Sequence, residues 1–302
     1  MSALMGGDAL KQAAQAEMLK IRDKIDNRQN GFVGVFDKWF LRVMARFSAF
    51  DSARSWEESV QQEMKASPAD ANNLIWDFSR LQLYLDRQAQ GRFVDYGRRT
   101  ESGAHYTRRY GMEFGADVLL TAQGAPRLME WRGVPLMKTV FDYAIYPMLL
   151  AELRPATIFE IGSGLGASAM WLADHLALFG IEGRVHSADL HPPACAHDRV
   201  AFRRGDCAAP PTLFDLQVMI DAPRPWLVIE DAHHNVLNVL DHFHDFLKPG
   251  DYLVVEDSEV KRDDLRVFME AHAGLYMVDT WFTDYFGRNA TCAGDSIFRR
   301  VR

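Results

Sequence analysis

Two apolar runs in the second half of the chain end in paired carboxylates. Glu230 and Asp231 close the first run, and Glu256 and Asp257 close the second. Such runs predict buried strands, and the carboxyl ends of neighbouring parallel strands meet at one edge of a sheet. Four carboxylates that converge there would raise their own pKa values unless a positive charge lay beside them. The pattern predicts a divalent cation with oxygen ligands, Mg²⁺ first, or else carboxylates that cap helices or pair with Arg and Lys.

Two histidines, His233 and His234, directly follow the first acidic pair. An imidazole has an ordinary pKa of about 6.5 and can accept a proton from a substrate hydroxyl near neutral pH. A histidine at this place can equally be a loop residue or a metal ligand. The sequence leaves these roles open for each of the two.

A glycine-rich turn follows a third apolar run, at residues 157–161. Gly162, Ser163 and Gly164 let the backbone approach a ligand closely, and the helix predicted from Gly166 presents free N–H groups to that ligand. The pattern is typical of a nucleotide-cofactor site. Its spacing also fits the dinucleotide fingerprint, so the turn alone does not exclude NAD.

The acidic residues around this turn help to distinguish the cofactors. Glu160 stands two residues before the first glycine. An acid there suits the ammonium group of S-adenosylmethionine, whereas it would repel the pyrophosphate of NAD. Asp189, which ends the next predicted strand, is expected to accept hydrogen bonds from the ribose hydroxyls of either cofactor. Asp206 is expected near the adenine, or as an ordinary turn residue. Together these residues favour S-adenosylmethionine.

Composition excludes several classes of partner. The chain has 302 residues, 48% of them hydrophobic, and a net charge of −7. The negative charge argues against nucleic acid and anionic membranes as partners. Its three cysteines show no CxxC spacing, which fits a reducing cytoplasm. Neither a leader sequence nor an apolar span of about 18 residues is seen, so a cytoplasmic protein with no membrane segment is expected.

Strand and helix patterns alternate from residue 157 onward. Helices are predicted at 167–179, 236–247 and 263–272, each followed by Gly or Pro. This alternation predicts an α/β fold, in which a Rossmann-like, mostly parallel sheet carries helices on both faces. The segments 276–286 and 291–301 predict two final strands that give the sheet an antiparallel C-terminal ending.

The first third of the chain has a different pattern. Residues 8–90 contain a single proline and show helical spacing, which predicts a helical N-terminal extension. The aromatic residues between positions 32 and 50 are expected to form one apolar face. Because a broad apolar face is normally covered by another protein surface, a homo-oligomer is predicted. Residues 91–124 are predicted to be a linker or lid, in which Arg98-Arg99 and Arg108-Arg109 form a local, solvated basic patch. The predicted domains are residues 1–125 and 126–302.

Longer motifs run through residues 128–302. They are Trp131-Arg-Gly-Val-Pro-Leu-Met-Lys138, Asp142 with Tyr146-Pro147, Glu160-Ile-Gly-Ser-Gly164, Gly205-Asp206-Cys207, Trp226-Leu-Val-Ile-Glu-Asp-Ala-His233, His242-Phe243, Pro249-Gly-Asp-Tyr252, Val255-Glu-Asp257 and Asp284-Tyr-Phe-Gly-Arg-Asn-Ala-Thr291. This set resembles the cephalosporin hydroxylase-like family of class I S-adenosylmethionine-dependent methyltransferases. Members of that family act on hydroxyls of natural products or sugars.

The resemblance implies roles for individual residues. It implies Mg²⁺ bound by Asp231, Glu256 and Asp257, with the methionine part of the cofactor near Glu160 and the ribose on Asp189. The chain is similar, more distantly, to catechol O-methyltransferase, in which the base stands three positions after the first metal-binding acid. That position is His234 here, and it holds a lysine in the catechol enzyme.

The predicted reaction is O-methylation of a small-molecule acceptor in antibiotic or other secondary metabolism. Lys138 and Glu230 are assigned to the cofactor side of the site, although a structural salt bridge would explain Lys138 and Asp142 equally well. Three alternatives remain: another alkyl transfer or internal cyclisation from S-adenosylmethionine, a non-catalytic scaffold that keeps the cofactor fold, and, more remotely, an NAD-dependent oxidoreductase.

Overall fold

The computed structural model describes residues 91–101 and 121–302 continuously, together with single positions between 12 and 20, between 58 and 67, and at 118. The described positions at 12–20 and 58–66 are helical. The aromatic stripe at 32–50, most of the predicted N-terminal extension and the Arg108–Arg109 pair lie outside the described residues. The chain divides into two compact units, residues 1–91 and 92–302. No helix among the described residues is long and apolar enough to cross a bilayer.

The second unit is built on one large sheet and a short hairpin. The strands in the described part are β1 (Phe93–Val94), β2 (Met129–Trp131), β3 (Val134–Leu136), β4 (Thr157–Ile161), β5 (Arg184–Asp189), β6 (Val200–Arg204), β7 (Trp226–Glu230), β8 (Tyr252–Val255), β9 (Tyr276–Asp279) and β10 (Ile297–Arg300). The helices, numbered from residue 96, are α1 (Tyr96–Glu101), α2 (Asp142–Leu153), α3 (Ala167–Leu178), α4 (Leu216–Asp221), α5 (Val236–His244), α6 (Arg262–Ala271) and α7 (Thr280–Thr283).

The large sheet has the strand order β1-β9-β10-β8-β7-β4-β5-β6. Its five central strands, β4 to β8, are parallel. Strand β10 lies between β8 and β9 and is antiparallel to both, and β1 pairs antiparallel with β9. The predicted Rossmann-like sheet with an antiparallel C-terminal ending is therefore confirmed.

The strand order places a crevice beside β4. The chain leaves β4 towards β5 and β6 on one side, then returns to place β7 and β8 on the other side. Every residue of β4 and β7 is buried, which explains why their sequences are apolar without alternation. On one face of the sheet, the ring centroid of Phe159 lies 4.9 Å from that of Phe214 and 4.8 Å from that of Trp226. The reversal at β4 opens a ligand crevice at the carboxyl ends of the strands.

Two parts of the chain differ from the sequence-based expectation. The final strands are shorter than predicted, because Thr280–Thr283 forms a helical turn in which the Asp279 side chain accepts the N–H of Trp281 at 3.1 Å. The first part of the predicted linker forms structure of its own: β1 adds an edge strand to the sheet, and α1 follows it.

Arg99 is buried, which corrects the prediction of a solvated patch at 98–99. Its side chain is 3% exposed and donates to both carboxylate oxygens of Asp284 at 2.8 Å, to Asp295 at 2.6 Å and to the Asn289 side chain at 3.0 Å. Burial alone would lower the pKa of Arg99, but Asp284 and Asp295 raise it above its ordinary value. Arg98 is exposed, as expected. Arg99 thus fastens α1 to the loop between α7 and β10.

We expect Arg99→Met to destabilise the protein by about 3–5 kcal/mol, because the change leaves two buried carboxylates without their cation. Arg98→Met is the matched control. It removes the same charge from an exposed neighbour and should change stability by no more than about 0.5 kcal/mol. Urea unfolding of the full chain measures both values. Equal effects of the two substitutions would contradict a structural role for Arg99.

Candidate functional site

A cleft of about 480 Å³ lies at the carboxyl ends of β4, β5, β7 and β8. That volume is within the range of small-molecule sites, about 300–1,000 Å³. All predicted site residues except Glu160 and Glu230 line the cleft: Lys138, Gly162, Ser163, Gly164, Asp189, Asp206, Asp231, His233, His234, Glu256 and Asp257. The glycine turn and the acidic strand ends therefore face one space.

Gly162 allows the loop after β4 to touch the loop after β7. Its φ is +99°, and a Cβ there would lie 2.7 Å from the carbonyl of Asp231. Backbone bonds fix the two loops, since Gly162 N donates to the carbonyl of Ala188 and Asp231 N donates to that of Ile161, both at 2.8 Å. Any larger residue at position 162 would push the two walls of the cleft apart.

Asp189 is oriented by backbone donors at the edge of the cleft. Gly164 N donates to its Oδ2 at 3.0 Å, and His191 N donates to its Oδ1 at 2.8 Å. Gly164 itself has φ of +49°, and no atom lies within 4 Å of the position a Cβ would take. The backbone at Gly164 therefore forms an open floor beside a fixed carboxylate, which suits a nucleoside ligand.

Glu160 lies beneath the glycine turn, and it is 1% exposed. Its carboxyl accepts hydrogen bonds from the hydroxyls of Ser168, at 2.5 Å, and Ser187, and Ser187 in turn contacts Ser163 at 2.6 Å. Burial raises the pKa of Glu160 to about 7, against the opposing effect of the two serine hydroxyls. Glu160 does not line the cleft itself. It is connected to two residues that do, directly to Ser168 and through Ser187 to Ser163.

Lys138 lies between two of the predicted metal ligands. Its ammonium contacts Asp231 Oδ2 at 3.1 Å and forms a short contact with Glu256 Oε2, while the hydroxyl of Tyr146 donates to Glu256 Oε1. Lys138 and Glu256 are 4% and 3% exposed. Burial raises the pKa of Glu256 to about 8, with Asp231 adding to the effect and Lys138 opposing it. Glu256 therefore lines the cleft while both of its oxygens are in contact with buried side chains, Lys138 and Tyr146.

Asp231, His233 and Asp257 form a group of potential metal ligands on the outer side of the cleft. His233 Nε2 lies 3.2 Å from Asp257 Oδ2 and 3.6 Å from Asp231 Oδ1, and the three groups have donor atoms within 4.8 Å of one another. Burial alone would raise the pKa of Asp231, but Lys138 and the nearby imidazole of His233 hold it well below its usual value. The proximity of Asp231 in turn raises the pKa of His233. Two carboxylates and an imidazole can hold a divalent cation.

Glu230 takes no part in the surface of the cleft. It is fully buried, and Lys261 donates to its Oε2 at 2.7 Å. Its other oxygen accepts the backbone N–H groups of Ala232 at 3.0 Å and His233 at 3.2 Å. The structure therefore places Glu230 under the loop that carries His233.

The remaining predicted residues occupy the sides of the cleft. His234 is exposed and lines the cleft. Asp206 also lines it, although its Oδ1 accepts the N–H of Ala208 at 2.8 Å, as a turn residue does. Asp142 is buried and accepts hydrogen bonds from the hydroxyls of Thr139, at 2.5 Å, and Thr291, at 2.6 Å. Asp142 therefore ties the loop before α2 to the loop before β10.

Sequence analysis did not identify two residues that shape the site. Tyr146 was noticed only as part of a motif with Pro147, although its place on a helix one turn after Asp142 could have indicated an inward hydroxyl. Lys261 belongs to none of the motifs found in the sequence. It lies just before α6, and only the fold brings it close to Glu230.

Comparisons with known proteins agree with this geometry. The family model described as rhamnosyl O-methyltransferase/CmcI matches residues 125–275. A rhamnosyl O-methyltransferase of Mycobacterium leprae (strain TN) is 30% identical over 138 residues, which are 43% of this chain and 60% of that protein. The protein of the same name from Mycobacterium tuberculosis (strain ATCC 25618 / H37Rv) is 30% identical over 139 residues, 43% of this chain and 57% of that protein. The chain thus spans about 60% of the length of these curated relatives.

Two solved structures are similar to this chain. The apo structure of CmcI-N160 superposes with a TM-score of 0.52 at 26% identity, and it covers 63% of this chain and 85% of that one. A structure titled "cmcI-D160 Mg-SAM" superposes with a TM-score of 0.50 at 27% identity, over 63% of this chain and 86% of that one. The matched family model covers half of the 302 residues, including every predicted site residue from Lys138 to Asp257. The chain therefore belongs to the rhamnosyl O-methyltransferase/CmcI family.

Proposed function

We propose that this protein is an S-adenosylmethionine-dependent O-methyltransferase that methylates a hydroxyl of a small molecule. One observation carries the proposal: a single cleft contains a nucleoside-type end, formed by Gly164 and Asp189, and an acidic end, formed by Asp231 and Asp257. The similar structure titled with Mg and SAM supports the same combination of groups.

The nucleoside end fits S-adenosylmethionine. The open floor at Gly164 admits the ligand next to the backbone, and Asp189 has lone pairs left for the ribose hydroxyls. Asp206, on the same side, would face the adenine. Glu160 would act on the ammonium group of the methionine part through Ser163 and Ser168, since its carboxyl lies below the turn. Lys138 is engaged with acids and is not needed for the cofactor.

The acidic end fits a divalent cation such as Mg²⁺. The three predicted ligands, Asp231, Glu256 and Asp257, all line the cleft, and carboxylate oxygens are the ligands that such ions prefer. A bound cation would polarise an acceptor hydroxyl and lower its pKa. The Lys138 ammonium stabilises the ionised form of Asp231, so this carboxylate is kept ready for the ion at neutral pH.

His234 is the proposed base. Its side chain is exposed on the cleft wall, three residues after Asp231, so an imidazole nitrogen can accept the proton of the acceptor hydroxyl. His233 is occupied with two carboxylates and is less free to do so. The walls, held together at Gly162, would keep the acceptor oxygen and the methyl group in line, which supplies much of the acceleration.

The proposal extends to the setting of the protein. The family name and the curated relatives suggest a sugar or natural-product acceptor, and thus a role in secondary metabolism such as antibiotic biosynthesis. Three free cysteines in the described part fit a cytoplasmic location. We also propose a homo-oligomer built through the N-terminal extension, with residues 126–302 as the catalytic domain.

Product analysis tests the reaction. With S-adenosylmethionine, Mg²⁺ and a panel of rhamnosides, other glycosides and phenols, we expect S-adenosylhomocysteine and an acceptor that has gained one methyl group. His234→Asn should lower kcat by about 10²–10⁴-fold, because it removes the base. His272→Asn, a histidine outside the cleft, is the control and should retain turnover. Accumulation of methylthioadenosine in place of S-adenosylhomocysteine would overturn methyl transfer.

Substitution of Gly164 tests the cofactor end separately. Gly164→Ala places a methyl group on the open floor and should weaken S-adenosylhomocysteine binding at least tenfold, equivalent to about 1.4 kcal/mol. Gly180→Ala is the matched control, because Gly180 also has a positive φ with open space around it but lies at the far end of α3. Both changes cost about 1–2 kcal/mol of backbone strain. Calorimetric titration should show weaker binding for Gly164→Ala alone, and equal affinities would contradict the placement.

A further inference from the structure

We propose that Glu230 and Lys261 are positioning residues for the proposed base, because the carboxylate of Glu230 holds the backbone turn that carries His234. The inference rests on the proposed function for the role of His234 as base. Glu230 and Lys261 are both buried, and neither lines the cleft. Their effect on the reaction therefore passes through the backbone and not through a contact with the cofactor or the acceptor.

The place of His234 depends on its backbone. Its side chain is exposed, so packing contributes little to the position of the imidazole. The residues on either side, His233 and Asn235, both have left-handed backbone, with φ of +57° and +52°. Left-handed backbone is unfavourable for a residue with a Cβ, and it persists only where surrounding contacts impose it. Contacts from outside the turn must therefore hold it in shape.

The carboxylate of Glu230 supplies such a contact. Its Oε1 accepts the N–H groups of two successive residues, Ala232 at 3.0 Å and His233 at 3.2 Å. Successive N–H groups beside a left-handed residue form a concave site for an anion. Here the chain fills that site with its own side chain. Glu230 therefore fixes the two peptide groups that lead directly to His234.

Lys261 orients the carboxylate from the other side. Its ammonium donates to Oε2 of Glu230 at 2.7 Å and lies 3.4 Å from the carbonyl oxygen of the same residue. Glu230 is fully buried and Lys261 is 2% exposed, so water does not compete for this pair. Because Lys261 engages Oε2, Oε1 is left for the turn. Lys261 stands in the loop between β8 and α6, so the pair also joins the loops that follow β7 and β8.

Two further contacts fix the ends of the turn. At its start, Asp231 N donates to the carbonyl of Ile161 at 2.8 Å. At its end, the side-chain amide of Asn235 donates to the carbonyl of Cys207 at 2.7 Å. The contact from Glu230 lies between these anchors. Its loss should therefore free the middle of the turn, where His234 begins, and leave both ends in place.

A buried ion pair can also contribute to stability alone, in which case the acceptor under the turn is unimportant. Two double substitutions separate these roles, because both remove the two charges together. Glu230→Gln with Lys261→Met keeps a carbonyl oxygen under the turn. Glu230→Met with Lys261→Met has nearly the same side-chain size and lacks that oxygen. Uncharged residues of similar volume can replace a buried ion pair without loss of stability, so we expect both variants to fold.

Amide hydrogen exchange of the full chain, followed by NMR, is the first test. In the natural chain we expect the amides of Ala232 and His233 to exchange at least tenfold more slowly than in the unfolded chain. This protection should persist in Glu230→Gln with Lys261→Met and fall at least tenfold in Glu230→Met with Lys261→Met. Equal exchange in the two double variants would overturn the proposal. So would unprotected amides in the natural chain, a result that needs no variant to fold.

Turnover tests the consequence for the base. With an acceptor from the panel of rhamnosides, other glycosides and phenols, we expect Glu230→Met with Lys261→Met to lower kcat at least tenfold, because a small displacement of a reacting group suffices for such a loss. The KM for S-adenosylmethionine and the dissociation constant of S-adenosylhomocysteine should change less than threefold. Glu230→Gln with Lys261→Met should restore kcat to within threefold of the natural chain. Equal kcat values in the two double variants would contradict the positioning role.

The two proposals fail in different ways. If the exchange rates are as expected but the natural chain neither binds S-adenosylhomocysteine nor methylates any acceptor, the proposed function is wrong and the support of the turn by Glu230 stands. If the natural chain methylates an acceptor and the two double variants turn over equally, the positioning role is wrong and the methyltransferase proposal stands.

Discussion

Negative charge at the carboxyl ends of β7 and β8 is the constraint around which the site is organised. Glu230 and Glu256 are both buried, and the backbone N–H of Glu256 donates to the carbonyl of Glu230 at 2.9 Å, so the two strand ends are joined side by side. A buried carboxylate is costly unless a positive charge or hydrogen-bond donors compensate it. Lys261 balances Glu230, and Lys138 balances Glu256. Asp231 and Asp257, which follow these two buried acids, are more exposed and line the cleft.

The same edge of the sheet must also admit a cofactor, and backbone geometry meets this requirement. Because the strand order reverses at β4, the loop after β4 meets the loop after β7, and Gly162 lets them touch at a spacing that a side chain would prevent. Asp189 closes the far side through its bonds from Gly164 and His191. The cleft therefore brings the glycine turn and the acidic strand ends to one space.

Much of this could be predicted from the sequence. The apolar runs, the glycine turn and Asp189 follow local rules, so the α/β fold and the mostly parallel sheet could be predicted from pattern, whereas Lys138 and the roles of the acids came from the family resemblance. Pairing between distant residues could not be predicted, because nothing near Lys261 or Arg99 in the sequence points to their acidic partners. The burial of Arg99 required knowledge of the loop at residues 284–295.

The sequence pattern alone does not show which of the four carboxylates at the ends of β7 and β8 are buried and which are exposed. Asp231 follows the last residue of β7, and Glu256 and Asp257 both follow β8, so the alternation of side chains along a strand does not fix where these acids face. In each pair the first acid, Glu230 or Glu256, is buried and the second, Asp231 or Asp257, is at least partly exposed. The sequence predicts a cofactor contact for Glu230, whereas in the structure Glu230 supports the loop that carries His233.

The central claim is that this cleft binds S-adenosylmethionine beside its acidic end. Calorimetric titration of the full chain with S-adenosylhomocysteine and with NAD, each with Mg²⁺ present and after chelation, tests it most directly. We expect saturable binding of S-adenosylhomocysteine at one site per chain and no binding of NAD. Binding of NAD alone, or of neither nucleotide under any of these conditions, would contradict it.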